Sequence, residues 1–408
     1  MCLPRIVNRK QLTLLGLNSG TSADGLDMAV VKIRRSTRGV SVKYVEGCER
    51  KFSSALRDQV HQVADSDVVT LEDVIELDNL LGEFFGCTAK SYLRQMERRG
   101  VEVDMVASHG QTVRHRPKKV RRLGKWIHGT MQLGSLDRIA AATGRVTVGD
   151  FRQADIAVGN EGAPITTGAM QRLFADKQHS RLMVNIGGMA NYFYFPAKDS
   201  PLKMSAADCG PGNSLCDLLS SRLFSQPHDS AGRIATSGHV NDELLALLTA
   251  DDFFSGRMVS TGRERFGLAM AESIIAFGRW YRAEKADLMR TAAELTVWSV
   301  ARKLRPMARR DHTLTNLYLT GGGRRNIFFV RRLGQLLPEL TIRSADELGL
   351  DADFIEAAAY AVMGEACLRG EALPAKTNKQ ASRTRPVLGR IAQPPHRDVR
   401  MSPIRRKG

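Results

Sequence analysis

The sequence LTLLGLNSGTSADGLDMAVVKI, at Leu12–Ile33, joins an apolar run to a second β-rich run through a polar, Gly-rich turn. This pattern predicts two strands connected by a tight turn. Gly16, Gly20 and Gly25 let the backbone bend and approach a ligand closely. The turn also offers hydroxyl and carboxylate groups, on Ser19, Thr21, Ser22, Asp24 and Asp27. A strand–turn–strand of this kind predicts a cradle for phosphate, and an ordinary Gly-rich hairpin is the alternative.

Length and composition indicate a globular protein of two or three domains. The chain has 408 residues, of which 43% are hydrophobic and 25% are charged. No apolar run approaches the ~20 residues of a membrane helix, and the N-terminal MCLPRIVNRKQ lacks the apolar core of a signal peptide. The six cysteines are scattered and form no CxxC pair, so we predict neither a zinc site nor a disulfide framework. These features favour a reducing, cytoplasmic compartment and no membrane partner.

The net charge of +17 is concentrated towards the C-terminus. Residues 371–408 hold ten Lys and Arg against two Asp and Glu, and they are rich in Pro and poor in aromatic residues. This composition predicts a basic, disordered tail. A second basic cluster, at 118–125, is predicted to lie in a loop. We interpret both as solvated surface that helps to attract an anionic substrate, and we expect no nucleic-acid partner.

Up to the tail, strand-like and helix-like runs alternate. The strand-like runs lie at 12–17, 26–33, 105–108, 145–150, 181–186, 191–195 and 316–320. The helix-like runs lie at about 70–98, 134–143, 213–224, 265–283, 287–304, 326–337 and 352–369. RLMVNIGGMANYFYF, from Arg181, has the same strand, Gly turn and strand pattern as the opening module. This repeat predicts an α/β protein of two duplicated domains facing a cleft, with domain I at 12–145 and about 346–370 and domain II at 146–345.

The turn ADCGPGN, at Ala207–Asn213, carries a candidate catalytic carboxylate. Asp208 lies where a short strand is predicted to end, and Gly210, Pro211 and Gly212 force a tight turn before a helix-like run. We therefore expect Asp208 beside a helix N-terminus whose free N–H groups suit phosphate oxygens. An aspartate in this position could act as a general base or hold a metal through water. The alternative is a helix-capping residue.

Three further segments carry candidate ligand-binding residues. LTGGGRRN, at Leu319–Asn326, places a Gly triplet between a strand and a helix, where bare backbone can lie against a planar base or ribose; a plain β–α turn has the same pattern. SHGQT, at Ser108–Thr112, ends a strand in polar groups, and a histidine such as His109 is more often structural than catalytic. The loop at Gly149–Pro164 is polar and Gly-rich. Its Arg152 could clamp a carboxylate or form a surface ion pair.

The order of these motifs resembles that of the actin/hexokinase/Hsp70 superfamily, whose members bind ATP and Mg²⁺ between two duplicated domains of the actin-like, ribonuclease H-like kind. Within it, the chain resembles the anhydro-N-acetylmuramic acid kinase family over Leu14–Arg369. The motifs that carry the resemblance are SGTSADGLD (19–27), SHGQTVRHRP (108–117), GDFRQADIAVGNEGAP (149–164), VNIGGMAN (184–191), DCGPGNSLCD (208–217), STGRERF (260–266), TGGGRRN (320–326) and SADELGLDADFIEAAAYA (344–361). SGTSxDGxD, SHGQT and DxGPGN together are close to diagnostic.

This resemblance implies an enzyme that opens the 1,6-anhydro ring of its sugar with water and phosphorylates O6 from ATP, in recycling of the cell wall. By position in the motifs, Asp208 matches the general base. The ATP-binding residues would be Gly20, Thr21, Ser22, Ala23, Asp24, Gly25, Leu26, Asp27, Gly210, Gly212, Asn213, Gly321, Gly322 and Gly323. The sugar-binding residues would be Thr112, Arg152, Asp155 and Glu356. Mg²⁺ would accompany ATP, held through water, and a homodimer is expected.

The resemblance implies a more specific role for Arg152, and Glu356 has an alternative interpretation. Arg152 is expected near the lactyl carboxylate of the sugar. Glu356 could instead be a first-turn acid that interacts favourably with a helix dipole.

The sequence departs from the family pattern mainly on the sugar side. Asn18 stands where Met is common, Gln153 and Ala154 replace two arginines, and Asn160-Glu161 replaces Gly-Gln. The proposed base and the phosphate turns are intact, so ATP chemistry is expected. The exact amino sugar stays open. The alternatives are a related kinase with altered amino-sugar specificity and a catalytically idle nucleotide-binding protein that acts through its basic tail.

Overall fold

The computed structural model describes residues 6–20, 22–37, 39–66, 68–255, 261–374 and 385–395. The chain divides into two compact units. The first unit is discontinuous and consists of Met1–Leu173 with Phe354–Gly408. The second unit is Phe174–Asp353.

Strands and helices alternate along the chain, as the sequence predicts. The strands are β1 (Gln11–Ser19), β2 (Gly25–Ser36), β3 (Gly39–Lys51), β4 (Met105–Arg122), β5 (Lys125–Leu133), β6 (Val146–Gly149), β7 (Arg181–Ile186), β8 (Met189–Phe195), β9 (Ser205–Pro211), β10 (Asn316–Thr320), β11 (Thr341–Ser344) and β12 (Arg390–Ala392). The helices are α1 (Ser54–Asp65), α2 (Leu71–Arg98), α3 (Leu136–Thr143), α4 (Gln153–Ala157), α5 (Thr167–Phe174), α6 (Asn213–Phe224), α7 (Arg233–Ser237), α8 (Asp242–Thr249), α9 (Arg263–Phe266), α10 (Leu268–Tyr281), α11 (Lys285–Arg310), α12 (Ile327–Leu336) and α13 (Ile355–Leu368).

The sheet of the first unit has the order β12-β6-β4-β1-β2-β3, and β5 pairs with β4. β1, β2 and β3 form an antiparallel meander, whereas β4 is parallel to β1 and β6 is parallel to β4. β1 is buried from Leu12 to Ser19 because it is covered on both faces. Leu15 and Leu17 share a core with residues of α2. Gly16 points to the opposite face, where a Cβ would lie 1.8 Å from the carbonyl oxygen of Ala357 in α13.

The sheet of the second unit has the order β11-β10-β7-β8-β9. β7, β8 and β9 are antiparallel, and β10 and β11 continue the sheet in parallel on the other side of β7. The core combines these strands with α6, α10, α11 and α12. Both sheets therefore share one strand order, in which an antiparallel meander is followed by two parallel strands beside its first strand. This duplicated topology confirms the predicted α/β fold class.

The unit boundaries differ from the predicted ones. β6 pairs with β4 in the first sheet, so the segment 146–173 folds with the first unit, although domain I was expected to stop at 145. The second unit continues to Asp353 instead of stopping at 345. Pairing between distant strands places β6 in the first unit, whereas ion pairs from Arg324 to Asp346 and Asp353 connect 346–353 to the second unit. Neither kind of long-range contact leaves a local signal in the sequence.

Two surface predictions were wrong in part. The basic cluster at 118–125 lies in the hairpin of β4 and β5 and not in a loop. In the tail, Arg390–Ala392 form β12, which pairs antiparallel with β6, so this part of 371–408 is ordered. Residues 375–384 and 396–408 lie outside the described residues, and the prediction of disorder stays a prediction there.

A buried aspartate at the end of α11 predicts acid-dependent stability of the second unit. Asp311 is 1% exposed and accepts hydrogen bonds from Tyr194, from Ser200 at 3.0 Å and from the Thr313 hydroxyl at 2.6 Å. Burial alone would raise the pKa of this carboxyl, but the hydrogen bonds outweigh it and lower the pKa to about 2. The folded state therefore holds the charged form more strongly than the unfolded chain does.

We expect Asp311 to contribute about 2 kcal/mol to the free energy of unfolding above pH 4, and this contribution should disappear as the pH falls towards 2. Asp311→Asn should lower the free energy of unfolding at neutral pH and flatten its decline in acid. Urea unfolding at a series of pH values measures both. The exposed Asp199→Asn is the control, and equal acid slopes for Asp311→Asn and the wild type would contradict the prediction.

Candidate active site

The Gly-rich turn joins β1 to β2, as the sequence predicts. The Ala23 N–H donates to the Gly20 carbonyl oxygen at 3.1 Å, and Ala23 has a positive φ of 53°. Ala23 and Leu26 are buried, so only their backbone can face a ligand, whereas Ser22 and Asp24 are exposed. Thr21 lies outside the described residues.

Gln111 of the SHGQT motif anchors this turn from β4. Its Oε1 lies 2.5 Å from the hydroxyl oxygen of Ser19, and its Nε2 donates to the carbonyl oxygen of Gly20 at 3.1 Å. Gln111 is 1% exposed. Both bonds are made at the end of β1, and the Ser19 hydroxyl in turn lies 3.0 Å from the carbonyl oxygen of Gly25, so a buried amide holds the start of the turn in place. We did not predict this role from the sequence, where the only signal was the place of Gln111 within the motif.

Removal of this anchor should weaken ATP binding. Gln111→Leu keeps a side chain of similar length but leaves the turn without its two hydrogen bonds, so part of the binding energy must order the turn. We expect the KM for ATP to rise about tenfold, with a smaller change in kcat. Initial rates at varied ATP concentration measure this, with the exposed Gln178→Leu as the control. An unchanged KM for ATP would mean that the turn does not depend on Gln111.

Asn18 and Glu356 of the first unit lie near Arg152. Asn18 Nδ2 donates to Glu356 Oε2 at 3.0 Å, so the residue that departs from the family pattern holds a predicted sugar ligand. The Glu356 side chain keeps solvent-accessible surface, yet the surrounding protein desolvates its carboxyl and raises the pKa, while the Asn18 hydrogen bond and the Arg152 charge act to lower it. Glu356 also lies in the first turn of α13, the place that the helix-dipole alternative requires.

The Arg152 guanidinium donates to neutral acceptors and is not in a surface ion pair. Its Nε donates to His109 Nε2 at 3.0 Å, and one terminal nitrogen donates to the Gly162 carbonyl oxygen at 3.2 Å. Burial, and then the Arg152 charge, lower the pKa of His109 well below its ordinary value. Burial and the charges of Arg152 and His128 lower the pKa of His115 to about 4. Arg152 is therefore the dominant positive charge of this group at neutral pH.

Asp155 organises the loop beside Arg152. Its carboxylate accepts from Asn160 Nδ2 and from the Gly162 N–H, both at 2.9 Å. Gln153 Nε2 donates to the carbonyl oxygen of Thr130 in β5 at 2.7 Å. The unusual residues Gln153 and Asn160 are thus bonded into the loop and its neighbouring strand. Both carboxylate oxygens of Asp155 are used within the loop, which limits what Asp155 can offer a sugar.

Thr112 lies in β4 and contacts the neighbouring strand β5. Gln132 Nε2 donates to the hydroxyls of Thr112 and Thr130, at 3.1 and 2.8 Å. The Thr112 hydroxyl keeps its own proton for a further acceptor. Thr112 can therefore donate a hydrogen bond to a ligand.

Asp208 lies within β9 in the second unit, half-buried, and is not a helix cap. The N-cap of α6 is Gly212, which makes no side-chain capping bond. Asp208 Oδ2 accepts from the backbone N–H of Thr261 at 2.8 Å. The carboxylate is thus oriented by the backbone of a distant segment and can serve as a base.

The expectation of free N–H groups at the start of α6 was wrong. The N–H groups of Gly212, Asn213 and Ser214 donate to the carbonyl oxygens of Gly187 and Gly188, at 2.7–3.2 Å. The Gly turn of the second hairpin therefore covers this helix N-terminus. A Cβ on Gly212 would lie 2.3 Å from the Gly187 oxygen, which explains the glycine. Gly210 is buried in β9.

The Gly triplet after β10 meets Asn213. Gly321 and Gly323 pack against the end of β7, where a Cβ would lie 2.3 Å from Asn185 and 2.4 Å from Ile186, respectively. Gly322 faces Asn213, with 3.3 Å between its Cβ position and Asn213 Nδ2. Two of the three glycines thus have a packing reason, whereas Gly322 is exposed.

Neither a metal cluster nor a membrane span is found in the described part of the chain. Within those ranges, no group of three or more His, Cys, Asp and Glu is arranged to hold a metal ion. Every helix described is too short or too polar to cross a bilayer. The five cysteines described, Cys48, Cys87, Cys209, Cys216 and Cys367, are free thiols.

Solved structures with an overall likeness are remote. An activator of 2-hydroxyisocaproyl-CoA dehydratase from Clostridium difficile with bound ADPNP is 12% identical, over 88% of this chain and 96% of its own, with a TM-score of 0.39. A ROK family glucokinase from Streptomyces griseus in complex with glucose and AMPPNP is 12% identical, over 86% of this chain and 99% of its own, with a TM-score of 0.36.

Sequence relatives match most of the chain. An anhydro-N-acetylmuramic acid kinase of Trichormus variabilis is 35% identical, over 86% of this chain and 89% of its own. An anhydro-N-acetylmuramic acid kinase of Salinibacter ruber is 32% identical, over 95% of this chain and 97% of its own. The family model described as anhydro-N-acetylmuramic acid kinase matches residues 12–394. The chain therefore belongs to the anhydro-N-acetylmuramic acid kinase family.

Proposed function

We propose that this protein opens the 1,6-anhydro ring of anhydro-N-acetylmuramic acid with water and transfers the γ-phosphoryl group of ATP to O6. The product would be N-acetylmuramic acid 6-phosphate, formed in peptidoglycan recycling. The family match over residues 12–394 carries this proposal. The charge and hydrogen-bonding groups around Arg152 and Asp208 support it.

Asp208 would act as the general base. Its carboxylate takes a proton from the attacking water as the water oxygen bonds to C1 of the sugar. The C1–O6 bond breaks, O6 attacks the γ-phosphorus, and ADP leaves. The proton then passes from Asp208 to solvent. The Thr261 N–H, at 2.8 Å, orients the carboxylate.

ATP would be held mainly by backbone. We propose the turn Gly20–Asp27 for the phosphates and Gly321–Gly323 with Asn213 for the adenosine side. The turn fits because Gln111 holds its start in place, and Gly322 fits because its backbone is bare beside Asn213. Mg²⁺, bound with ATP, would supply charge neutralisation on the phosphates. Since no group of three or more His, Cys, Asp and Glu is arranged around a metal among the described residues, contact with the protein through water suits it.

Arg152 would bind the lactyl carboxylate of the sugar. Its guanidinium uses two of its donors on neutral acceptors, and its charge also acts on the Glu356 carboxyl. Its remaining N–H groups suit an anion. Thr112 and Glu356 would contact the sugar, whereas Asp155 would act by shaping the loop.

The free thiols and the family favour a cytoplasmic location for this protein. We also propose that the protein is a homodimer, and light scattering tests its mass in solution.

A kinase assay with purified sugar tests the proposal. The expected product gains both a phosphoryl group and the elements of water, which mass spectrometry identifies. N-acetylhexosamines serve as comparison substrates. Equal or greater turnover of these sugars would overturn the assignment in favour of a kinase with altered amino-sugar specificity.

A further inference from the structure

His109 offers Arg152 a neutral acceptor in a buried place. The imidazole is 5% exposed, and its Nε2 receives the Arg152 Nε–H at 3.0 Å. A guanidinium has only donors and stays charged in proteins. The ring must therefore present a lone pair at Nε2, which places its single hydrogen on Nδ1. His109 orients the cation without cancelling its charge, as a carboxylate in the same place would.

The imidazole stacks on one aromatic ring, which in turn stacks on a second. Tyr360 of α13 stacks on His109, with 4.5 Å between ring centroids and 20° between the ring planes. Phe151 stacks on Tyr360 at 5.7 Å and 22°. Phe151 is 1% exposed and immediately precedes Arg152 in the chain. The stack thus connects the backbone before Arg152 to the imidazole that holds its side chain.

The C-terminal strand supports the other end of this stack. Gly389 has a φ of 109°, and a Cβ there would lie 3.0 Å from the Phe151 ring. Arg390 pairs with Gly149 in the sheet, and its Nε lies 3.4 Å from the carboxylate of Asp150. The family match extends to residue 394 and so includes this strand. Asp150 and Phe151, the two residues before Arg152, are therefore held in place by the C-terminal strand.

We propose that His109 is a positioning residue for sugar recognition, which holds the Arg152 guanidinium in the direction of the substrate carboxylate. This inference rests on the proposed function, because it needs a sugar with a carboxylate. A free arginine side chain loses rotamer freedom when a ligand fixes it. An arginine that is already held loses less, so the sugar binds more tightly.

Two substitutions separate the hydrogen bond from the packing. His109→Phe keeps a ring against Tyr360 but removes the acceptor, whereas His109→Gln supplies an amide oxygen near the position of Nε2. We expect His109→Phe to raise the KM for anhydro-N-acetylmuramic acid about tenfold with little change in kcat. His109→Gln should recover much of this loss. His179→Phe, at an exposed histidine of the second unit, is the matched control.

A sugar without the carboxylate gives the decisive comparison. 1,6-Anhydro-N-acetylglucosamine lacks the lactyl group and is measured as a substrate or as a competitive inhibitor. Its affinity should be the same for His109→Phe and the wild type. An equal loss for both sugars would show that His109 acts only through the fold, and an unchanged KM for the muramyl sugar would show that it does not act at all. Either result overturns the proposal.

Nitrogen-15 NMR of the histidine rings in the full chain gives a readout that needs no sugar. The His109 ring should carry its hydrogen on Nδ1, and Arg152→Met should shift the Nε2 resonance. A hydrogen on Nε2 would overturn the proposal. If the wild type fails to phosphorylate the muramyl sugar, the proposed function falls and the sugar-directed role of His109 falls with it. The spectrum then still shows whether the contact with Arg152 exists.

Discussion

Asp208→Asn should lower kcat by about 10²–10⁴-fold while the affinity for ATP changes little. The amide cannot accept the proton of the attacking water, so the first bond-forming step loses its base. The geometry should survive the change, because the amide oxygen of Asn can accept the Thr261 N–H that Asp208 Oδ2 accepts at 2.8 Å. A loss of turnover would then reflect proton transfer and not misfolding.

Initial rates with product identification measure the effect, and calorimetry measures ATP binding. Asp199→Asn, at an exposed aspartate of the same unit, is the matched control and should behave as the wild type. If Asp208→Asn keeps kcat within a few-fold of the wild type, Asp208 is not the base. If ATP affinity falls together with kcat, Asp208 contributes to nucleotide binding instead.

The central strands and helices were predictable because their signals are local. The opening hairpin is written as two apolar runs around a Gly turn, and α6 was placed correctly at Asn213–Phe224. The helix predicted at 352–369 is α13, which spans Ile355–Leu368. It shows in the sequence as an Ala-rich apolar run that ends just before Gly370. Buried elements of this length leave a hydrophobic pattern that one sequence suffices to read.

Elements with weak local signals were missed. The segment KKVRRLGKWIHG contains many Lys and Arg residues, so it lacks the apolar pattern of a buried strand. It nevertheless forms the hairpin of β4 and β5, whose apolar side chains Val120, Trp126 and Ile127 are exposed. β12 is only three residues long and lies between prolines, so it forms only because β6 offers a partner. Pairing of this kind is a property of the folded molecule and not of the segment.

The candidate site also combines features with local sequence signals and features that depend on long-range contacts. Motifs identified Asp208, Arg152 and the Gly turns, but not what each contacts. The N–H groups at the start of α6 are covered by a turn some 25 residues earlier in the chain. Gln111 and His109 gain their roles from partners on other elements. Motifs indicate which side chains are candidates for chemistry, whereas the orientation of those side chains depends on long-range contacts.

Glu365→Gln should lower the free energy of unfolding of the first unit by about 3–5 kcal/mol, the usual result of removing one partner from a buried ion pair. Glu365 is 1% exposed within α13. Arg35 donates to both of its oxygens, at 2.7 and 2.8 Å, and Arg369 donates at 3.1 Å. Arg172 lies 3.5 Å away. The Gln variant leaves three positive charges close together with less charge to oppose them.

Urea unfolding of the full chain measures this loss in the transition of the first unit. Glu97→Gln is the matched control, because Glu97 pairs with Arg145 at 3.0 Å but is 47% exposed, and we expect it to cost at most about 1 kcal/mol. The substitution should also lower activity, because α13 carries Glu356 and Tyr360 of the candidate site. A loss below 1 kcal/mol for Glu365→Gln would mean that the buried carboxylate does not hold these arginines together.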